Sequence, residues 1–311
     1  MPIPFLKRSL LPGWLVLRLD PQRVELAHLR PAERDRPQVA LCQAYRKEGS
    51  DAESLARLNK ELRLRNYRRA LVLRPGEYQL LQVDAPPVPA AELAEAARWA
   101  VKGMLDYPVE SATVNALEIP AEAGRPRSVY VVAARNEVIA ARMGAFEAAG
   151  IPLDVIDIPE TAQRNVAALL EEEGYGLALL VFDDTGGLLT FTFGGELYLS
   201  RRMEVRLDDA QPASPQWAQI EERVALELQR SLDHFDRQYR HIPMAKLLVL
   251  GPMPQAERLS RYLAENLPLR TEMANVGAAL DCSASPELRE PAQQARWLHV
   301  LGAGLREEAA R

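Results

Sequence analysis

The chain has 311 residues, room for two domains of ordinary size, and its 48% hydrophobic and 26% charged residues can build a sizeable core without staples. A formal net charge of −5 excludes a global attraction to nucleic acid or anionic lipid, and an aromatic content of 6% is too low for a stacking platform on single strands. The two cysteines, Cys42 and Cys282, make no disulfide framework and fit a reducing compartment.

Residues 1–13 are basic and partly apolar, but Pro2, Pro4 and Pro12 break any signal-peptide run. They read as an N-terminal tail, with Phe5, Leu6, Lys7, Arg8 and Leu10 as the side chains available to a membrane surface or a partner. No stretch reaches the ~18 consecutive apolar residues of a membrane span. Residues 14–20 alternate and predict a strand, Pro21-Gln22 a turn, and 23–29 a second strand. A third strand is expected over 39–45. Asp51 caps a helix to residue 64, with Leu55, Leu58 and Leu62 at helical spacing. Strands follow over 69–73 and 78–83.

The proline-rich stretch 84–89 interrupts this pattern. A helix is expected over 90–105, strands over 114–119 and 129–133, and a helix over 137–149 that Gly150 ends. A strand over 153–158 leads to a helix opened by Pro159. A second unit starts near Gly176 with a strand over 177–182. The segments 188–193 and 197–202, joined by Gly194-Gly195, make a hairpin. A polar loop over 207–215, a long amphipathic helix over 216–239, a strand over 246–250 and helices over 255–266 and 291–308 complete the chain. Each half opens with an antiparallel hairpin and continues into alternating helices and strands. That order predicts an α/β protein with mixed sheets rather than a doubly wound parallel sheet.

Two such halves look like the actin, Hsp70 and sugar-kinase superfamily. The stretches Tyr78-Gln-Leu-Leu-Gln-Val-Asp-Ala-Pro-Pro-Val-Pro89, Ala94-Glu-Ala-Ala-Arg-Trp-Ala-Val-Lys102 and Leu105-Asp-Tyr-Pro-Val109 resemble the inserted subdomain of the PilM family of type IV pilus assembly proteins. Ala116-Leu-Glu-Ile-Pro120, Val129-Tyr-Val-Val-Ala-Ala-Arg-Asn-Glu-Val138, Ala148-Ala-Gly-Ile-Pro-Leu-Asp-Val-Ile-Asp157 and Val300-Leu-Gly-Ala-Gly-Leu-Arg306 follow in the family's order. The likeness is nearest the MshI branch, of the mannose-sensitive haemagglutinin (MSHA) pilus, with the cytoplasmic part of GspL from type II secretion as a related alternative. It implies an actin-like, ribonuclease H-like two-domain fold: a first domain over 14–175 carrying a PilM/FtsA-type inserted subdomain at about 84–156, and a second over 176–311.

The resemblance also implies a function. A cytoplasmic scaffold, held peripherally at the inner membrane through its partners, would bind the N-terminal cytoplasmic tail of a single-pass pilus protein of the PilN or MshJ kind. The assembly ATPase is a further expected partner. Trp99, Leu105, Tyr107 and Pro108 are the candidate groove, though core packing would equally explain such side chains.

Actin-like ATPases hold phosphate in two hairpin turns that need an aspartate and small residues, so that backbone N–H groups meet the anion. In the first turn Asp20 is present, but Pro21, Gln22 and Arg23 replace the small residues, and Pro21 has no N–H. In the second, Asp183, Asp184, Thr185, Gly186 and Gly187 suit either a phosphate loop or a plain hairpin turn. In the adenosine loop Gly251 is followed by Pro252 and Met253. Asp20, Asp183, Asp184, Thr185, Gly186, Gly187 and Gly251 are the nucleotide-site candidates, with ATP and Mg²⁺ as the ligand they would hold; the site reads as degenerate and no catalytic residue is expected, the alternatives being an ATP-binding switch or ATPase with the same partners, or a GspL-like component of a type II secretion platform. His28, His234, His241 and His299 have no metal-ligand spacing. The basic run Arg63, Arg65, Arg68 and Arg69 reads as a solvated helix end or an attraction for an acidic partner.

Overall fold

The computed structural model describes residues 10–32, 36–121, 124, 126–209 and 214–306, so the tail side chains Phe5, Leu6, Lys7 and Arg8 lie outside the described residues. Two five-stranded sheets repeat one topology. In the first, β1 (Trp14–Leu19), β2 (Arg23–Arg30) and β3 (Gln38–Arg46) form an antiparallel meander, and β4 (Arg68–Val72) and β8 (Val155–Asp157) extend it in parallel, in the order β3-β2-β1-β4-β8. In the second, β9 (Gly176–Asp183), β10 (Gly186–Phe193) and β11 (Glu196–Met203) make the meander and β12 (Met244–Leu250) and β13 (Thr271–Met273) the extension, in the order β11-β10-β9-β12-β13.

Every residue of β1 is buried, because both faces of its sheet are covered. Leu15, Leu17 and Leu19 pack with Leu55 and Leu58 of α1 (Asp51–Leu62) and Phe146 of α3 (Asn136–Ala148). Trp14 and Val16 face a second layer built from α4 (Pro159–Ala168) and α7 (Pro291–Gly304). Leu177, Leu179 and Val181 of β9 enter that same layer from the other sheet, so α4 and α7 form a core common to both halves. The remaining face of the second sheet is covered by α5 (Pro215–Gln238) and α6 (Gln255–Asn266). The two central helices touch closely: a Cβ on Gly302 would lie 2.0 Å from Ala162 O, so only glycine fits there.

A three-stranded antiparallel sheet, β5 (Tyr78–Asp84), β7 (Ser128–Arg135) and β6 (Ala112–Ile119) in the order β5-β7-β6, interrupts the first half and starts ahead of the break at 84. One face packs under α2 (Leu93–Ala100) in a small core of Leu93, Ala97, Val101, Val109, Val129 and Val131. The other docks on both halves. Tyr78 and Ala134 join the core of the first sheet, while Ile119 and Tyr130 join that of the second. The hydroxyl of Tyr130 accepts from Ser200 N at 3.0 Å and donates to Tyr198 O at 3.3 Å, which satisfies the outer edge of β11.

Several elements depart from expectation: β13 has no counterpart among the expected strands, and α7 ends at Gly304, short of the expected 308. The helix expected over 90–105 ends at Ala100 and gives way to turns around Gly103, whose φ of +89° continues no helix. The cap of α1 is Ser50 rather than Asp51, in a reciprocal capping box with Glu53.

The three units meet at one buried junction. Glu160 of α4 is 1% exposed; it accepts from Tyr78 Oη at 2.5 Å and Arg202 Nε at 3.0 Å, and Arg202 Nη2 donates to the Tyr78 hydroxyl at 2.8 Å. Removing Arg202 leaves a buried carboxylate without its cation. Arg202→Ala is expected to cost about 3 kcal/mol of stability and Tyr78→Phe about 1 kcal/mol, measured by urea unfolding.

Candidate functional site

The β1–β2 turn (Asp20, Pro21, Gln22) and the β9–β10 turn (Asp183, Asp184, Thr185) face each other across the gap between the halves, and β12 ends beside them at Gly251. The space between is occupied by the chain's own charges. In the hairpin register Arg18 lies directly opposite Glu25, and the two are 5% and 0% exposed. Arg18 Nε donates to Glu25 Oε2 at 2.8 Å, and its Nη1 stands 3.8 Å from Asp183 Oδ2 on the far side. Arg23 Nε lies 2.9 Å from Glu25 Oε1, while its Nη2 reaches across to Asp184 Oδ2 at 3.3 Å. Arg296 of α7 donates to Glu25 Oε1 at 3.0 Å. Arg18, Arg23 and Arg74 approach Asp20 at 3.8, 3.3 and 3.2 Å.

Charge and burial compete at each group. Burial opposes the charge of Arg18, but Glu25, Asp20 and Asp183 outweigh it and raise the guanidinium above its ordinary value. Burial pushes the Asp20 carboxyl up despite Arg18. Burial also works against the Asp183 carboxylate, yet bonding from His299 and Thr185 prevails and holds it well below the usual carboxylate range. His299 Nδ1 is 3.5 Å from Asp183 Oδ2, and its Nε2 is 3.2 Å from the amide oxygen of the buried Gln163. The Gln163 amide nitrogen in turn bonds Leu179 O, Leu188 O and Thr190 Oγ1, which fixes the ring.

The residues present do not fit a triphosphate and its metal. Asp20 N donates to Arg23 O at 2.9 Å, and Pro21 has no N–H to offer. Thr185 N and Oγ1 both donate to Asp183 Oδ1, at 2.7 and 2.6 Å, the geometry of a plain hairpin turn. Gly186 has φ +119°, and a Cβ there would be 2.7 Å from Met203 O, so this glycine serves the neighbouring strand. A Cβ on Gly187 would meet the Phe182 ring, and one on Gly251 would crowd Ala256. The cleft that remains, lined by Arg18, Arg23, Asp208, Pro252 and Arg296, has a volume of about 180 Å³. Small-molecule sites usually offer ~300–1,000 Å³. Among the described residues no group of three or more His, Cys, Asp or Glu side chains is arranged to hold a metal ion.

Arg18, Glu25, Arg296 and His299 were not among the sequence candidates. A signal was present for the first two: one arginine and one glutamate inside otherwise apolar strands, at positions that a hairpin through Pro21-Gln22 sets opposite each other.

The other candidates lie on the inserted unit. Trp99 is 54% exposed on α2, away from the buried Leu93 and Ala97, with Lys102 Nζ 5.4 Å from its ring centre. Leu105 packs against the small core. Tyr107 is half-buried beneath the Arg135 guanidinium at 4.1 Å, and its hydroxyl is closed off from solvent without a hydrogen-bond partner among the described residues. Pro108 is exposed. Leu105, Tyr107 and Pro108 therefore share one turn-rich segment after α2, while Trp99 faces outward.

No protein-family profile matches the sequence, and neither does a curated protein sequence. Solved structures do match. A chain of a PilM–PilN type IV pilus biogenesis complex superposes with a TM-score of 0.71 at 20% identity, covering 95% of this chain and 99% of that one. A Bacteroides thetaiotaomicron protein of unknown function, described as having an actin-like ATPase fold, gives 0.53 at 12% identity over 93% and 99%. This is the actin-like fold. The cytoplasmic domain of Vibrio cholerae EpsL, an inner-membrane component of type II secretion, gives 0.41 at 16% identity over 61% and 71%. Arginine side chains stand between the Asp20 and Asp183 turns. Among the described residues no helix is long and apolar enough to cross a membrane.

The depressed Asp183 carboxyl contributes stability that is fully present above the ordinary carboxylate range, near pH ~4, and is lost as pH falls toward its folded value. The stability gap between the wild type and Asp183→Asn should therefore narrow as pH is lowered from ~6 to ~3, as urea unfolding at each pH would measure.

Proposed function

We propose that this protein is a PilM-like scaffold of a type IV pilus assembly platform, of the MshI branch that serves MSHA-type pili. It works by holding partners in place, not by bond chemistry. The observation that carries the reading is the end-to-end match to a chain of the PilM–PilN complex over 95% of this chain, the inserted unit included. The partner is the N-terminal cytoplasmic tail of a single-pass inner-membrane protein of the PilN or MshJ kind, and that tail holds the scaffold at the cytoplasmic face of the inner membrane. The assembly ATPase contacts the same platform.

The tail binds on the inserted unit along Leu105, Tyr107 and Pro108, with Trp99 as an outer apolar contact. Supporting this, the Tyr107 hydroxyl lacks a hydrogen-bond partner among the described residues although it is shut away from solvent. A buried polar group of that kind is costly, and a peptide main chain that displaces the side chains covering it can complete it. Nucleotide plays no part in the reading, since Asp20, Asp183, Asp184 and Thr185 are already engaged by the chain's own side chains and backbone.

Calorimetry with the synthetic N-terminal tail of a PilN-type partner tests it. Binding in the micromolar range is expected, unchanged by Mg²⁺ and ATP, about tenfold weaker in Tyr107→Ala and about fivefold weaker in Tyr107→Phe. Absence of binding, or binding that appears only with ATP, contradicts the reading.

A further inference from the structure

A second feature of the first domain lies away from both the cleft and the inserted unit's outer face. The C-terminal end of α1, the turn that follows it and the end of α3 enclose a shallow pocket of about 580 Å³, lined by Ala56, Asn59, Lys60, Arg63, Arg65, Asn66 and Ala149. No carboxylate lines it. Arg65 is held at its wall by a bond from Nε to Gly150 O at 2.6 Å. Neither Lys60 nor Arg63 has an ion-pair partner among the described residues. The neighbouring Glu61 is not among the residues that line the pocket. On a chain of net charge −5, this is a local excess of uncompensated positive charge.

Arg63 is also the one non-glycine among the described residues with a positive φ (φ 55°, ψ 51°), in the position that closes α1 through Arg63 N to Asn59 O at 2.9 Å. Glycine is the residue that this left-handed closing position favours. An arginine here accepts backbone strain and in return presents a guanidinium to the pocket. The favourable effect of positive charge at a helix C-terminus accounts for Lys60 in the last turn; it does not call for a side chain at a position where glycine closes the helix best. The partial negative charges at the ends of α1 and α3 oppose an incoming anion, but three full positive charges exceed those two half-charges.

We propose that this pocket binds a phosphate-bearing anion, with Arg63 and Arg65 as forked donors, Lys60 as a point charge and the carboxamides of Asn59 and Asn66 as neutral donors. The same chemistry serves a soluble phosphate compound and the headgroup of an anionic phospholipid.

Two probes distinguish these sources: calorimetric titration of the full chain with inorganic pyrophosphate, and co-sedimentation with phosphatidylcholine vesicles with or without phosphatidylglycerol. The wild type is expected to bind at least one of them saturably. Arg63→Gly should weaken that binding about tenfold or more while raising Tm by a few degrees, and Arg63→Lys should retain part of it. Pyrophosphate binding alone assigns a soluble ligand, and binding to the anionic vesicles alone assigns a headgroup. No saturable binding of either probe, or a stabilised Arg63→Gly protein that binds as well as the wild type, overturns the proposal.

Discussion

Glu25 is a fully buried carboxylate at the centre of the molecule, and the cleft is organised around its need for cations. A charge withdrawn from water is tolerated only when it is paired and hydrogen-bonded. Here the partners are Arg18 from the opposite strand, Arg23 from the edge of the turn and Arg296 from α7. Their guanidinium groups fill the volume between the two turns and extend to Asp183 and Asp184 on the other domain. The interaction that stabilises the first hairpin therefore also joins the two domains and engages Asp20, Asp183 and Asp184. These pairs and the core shared by α4 and α7 both connect the two halves.

A rigid frame gives the inserted unit a defined orientation. Its sheet is fixed to α4 and β11 through Glu160, Tyr78 and Arg202, and to the second domain again through Tyr130. Both contacts are buried, so the inserted unit moves with the two domains rather than as an independent module. In the proposed scaffold role, this presents the surface around Tyr107 at a fixed angle.

Much of the fold was legible because its signals are local and periodic. The hairpin 188–202 declares itself through Gly194-Gly195, and α5 through twenty-four residues of amphipathic pattern. The end of α2 was not, since the apolar spacing of Leu93, Ala97, Val101 and Met104 continues past the point where Gly103 turns the chain. Strand β13 is three residues long and offers no alternation to detect. In the cleft, Pro21 and Gln22 mark the turn of the first hairpin. The charge network behind it depends on contacts between residues 271 positions apart, such as Glu25 with Arg296, and no local pattern records those.

The central claim is that the domains are held closed by internal ion pairs. It is tested most directly by the distance between them, measured by pulsed electron-spin spectroscopy with labels at Glu61→Cys and Glu265→Cys in a chain lacking Cys282. The account predicts one narrow distance that Mg²⁺ and ATP leave unchanged, and that broadens when Arg18→Met and Asp183→Asn, which remove the buried pair across the cleft, are combined. A wild-type distance that shifts on adding Mg²⁺ and ATP would contradict it.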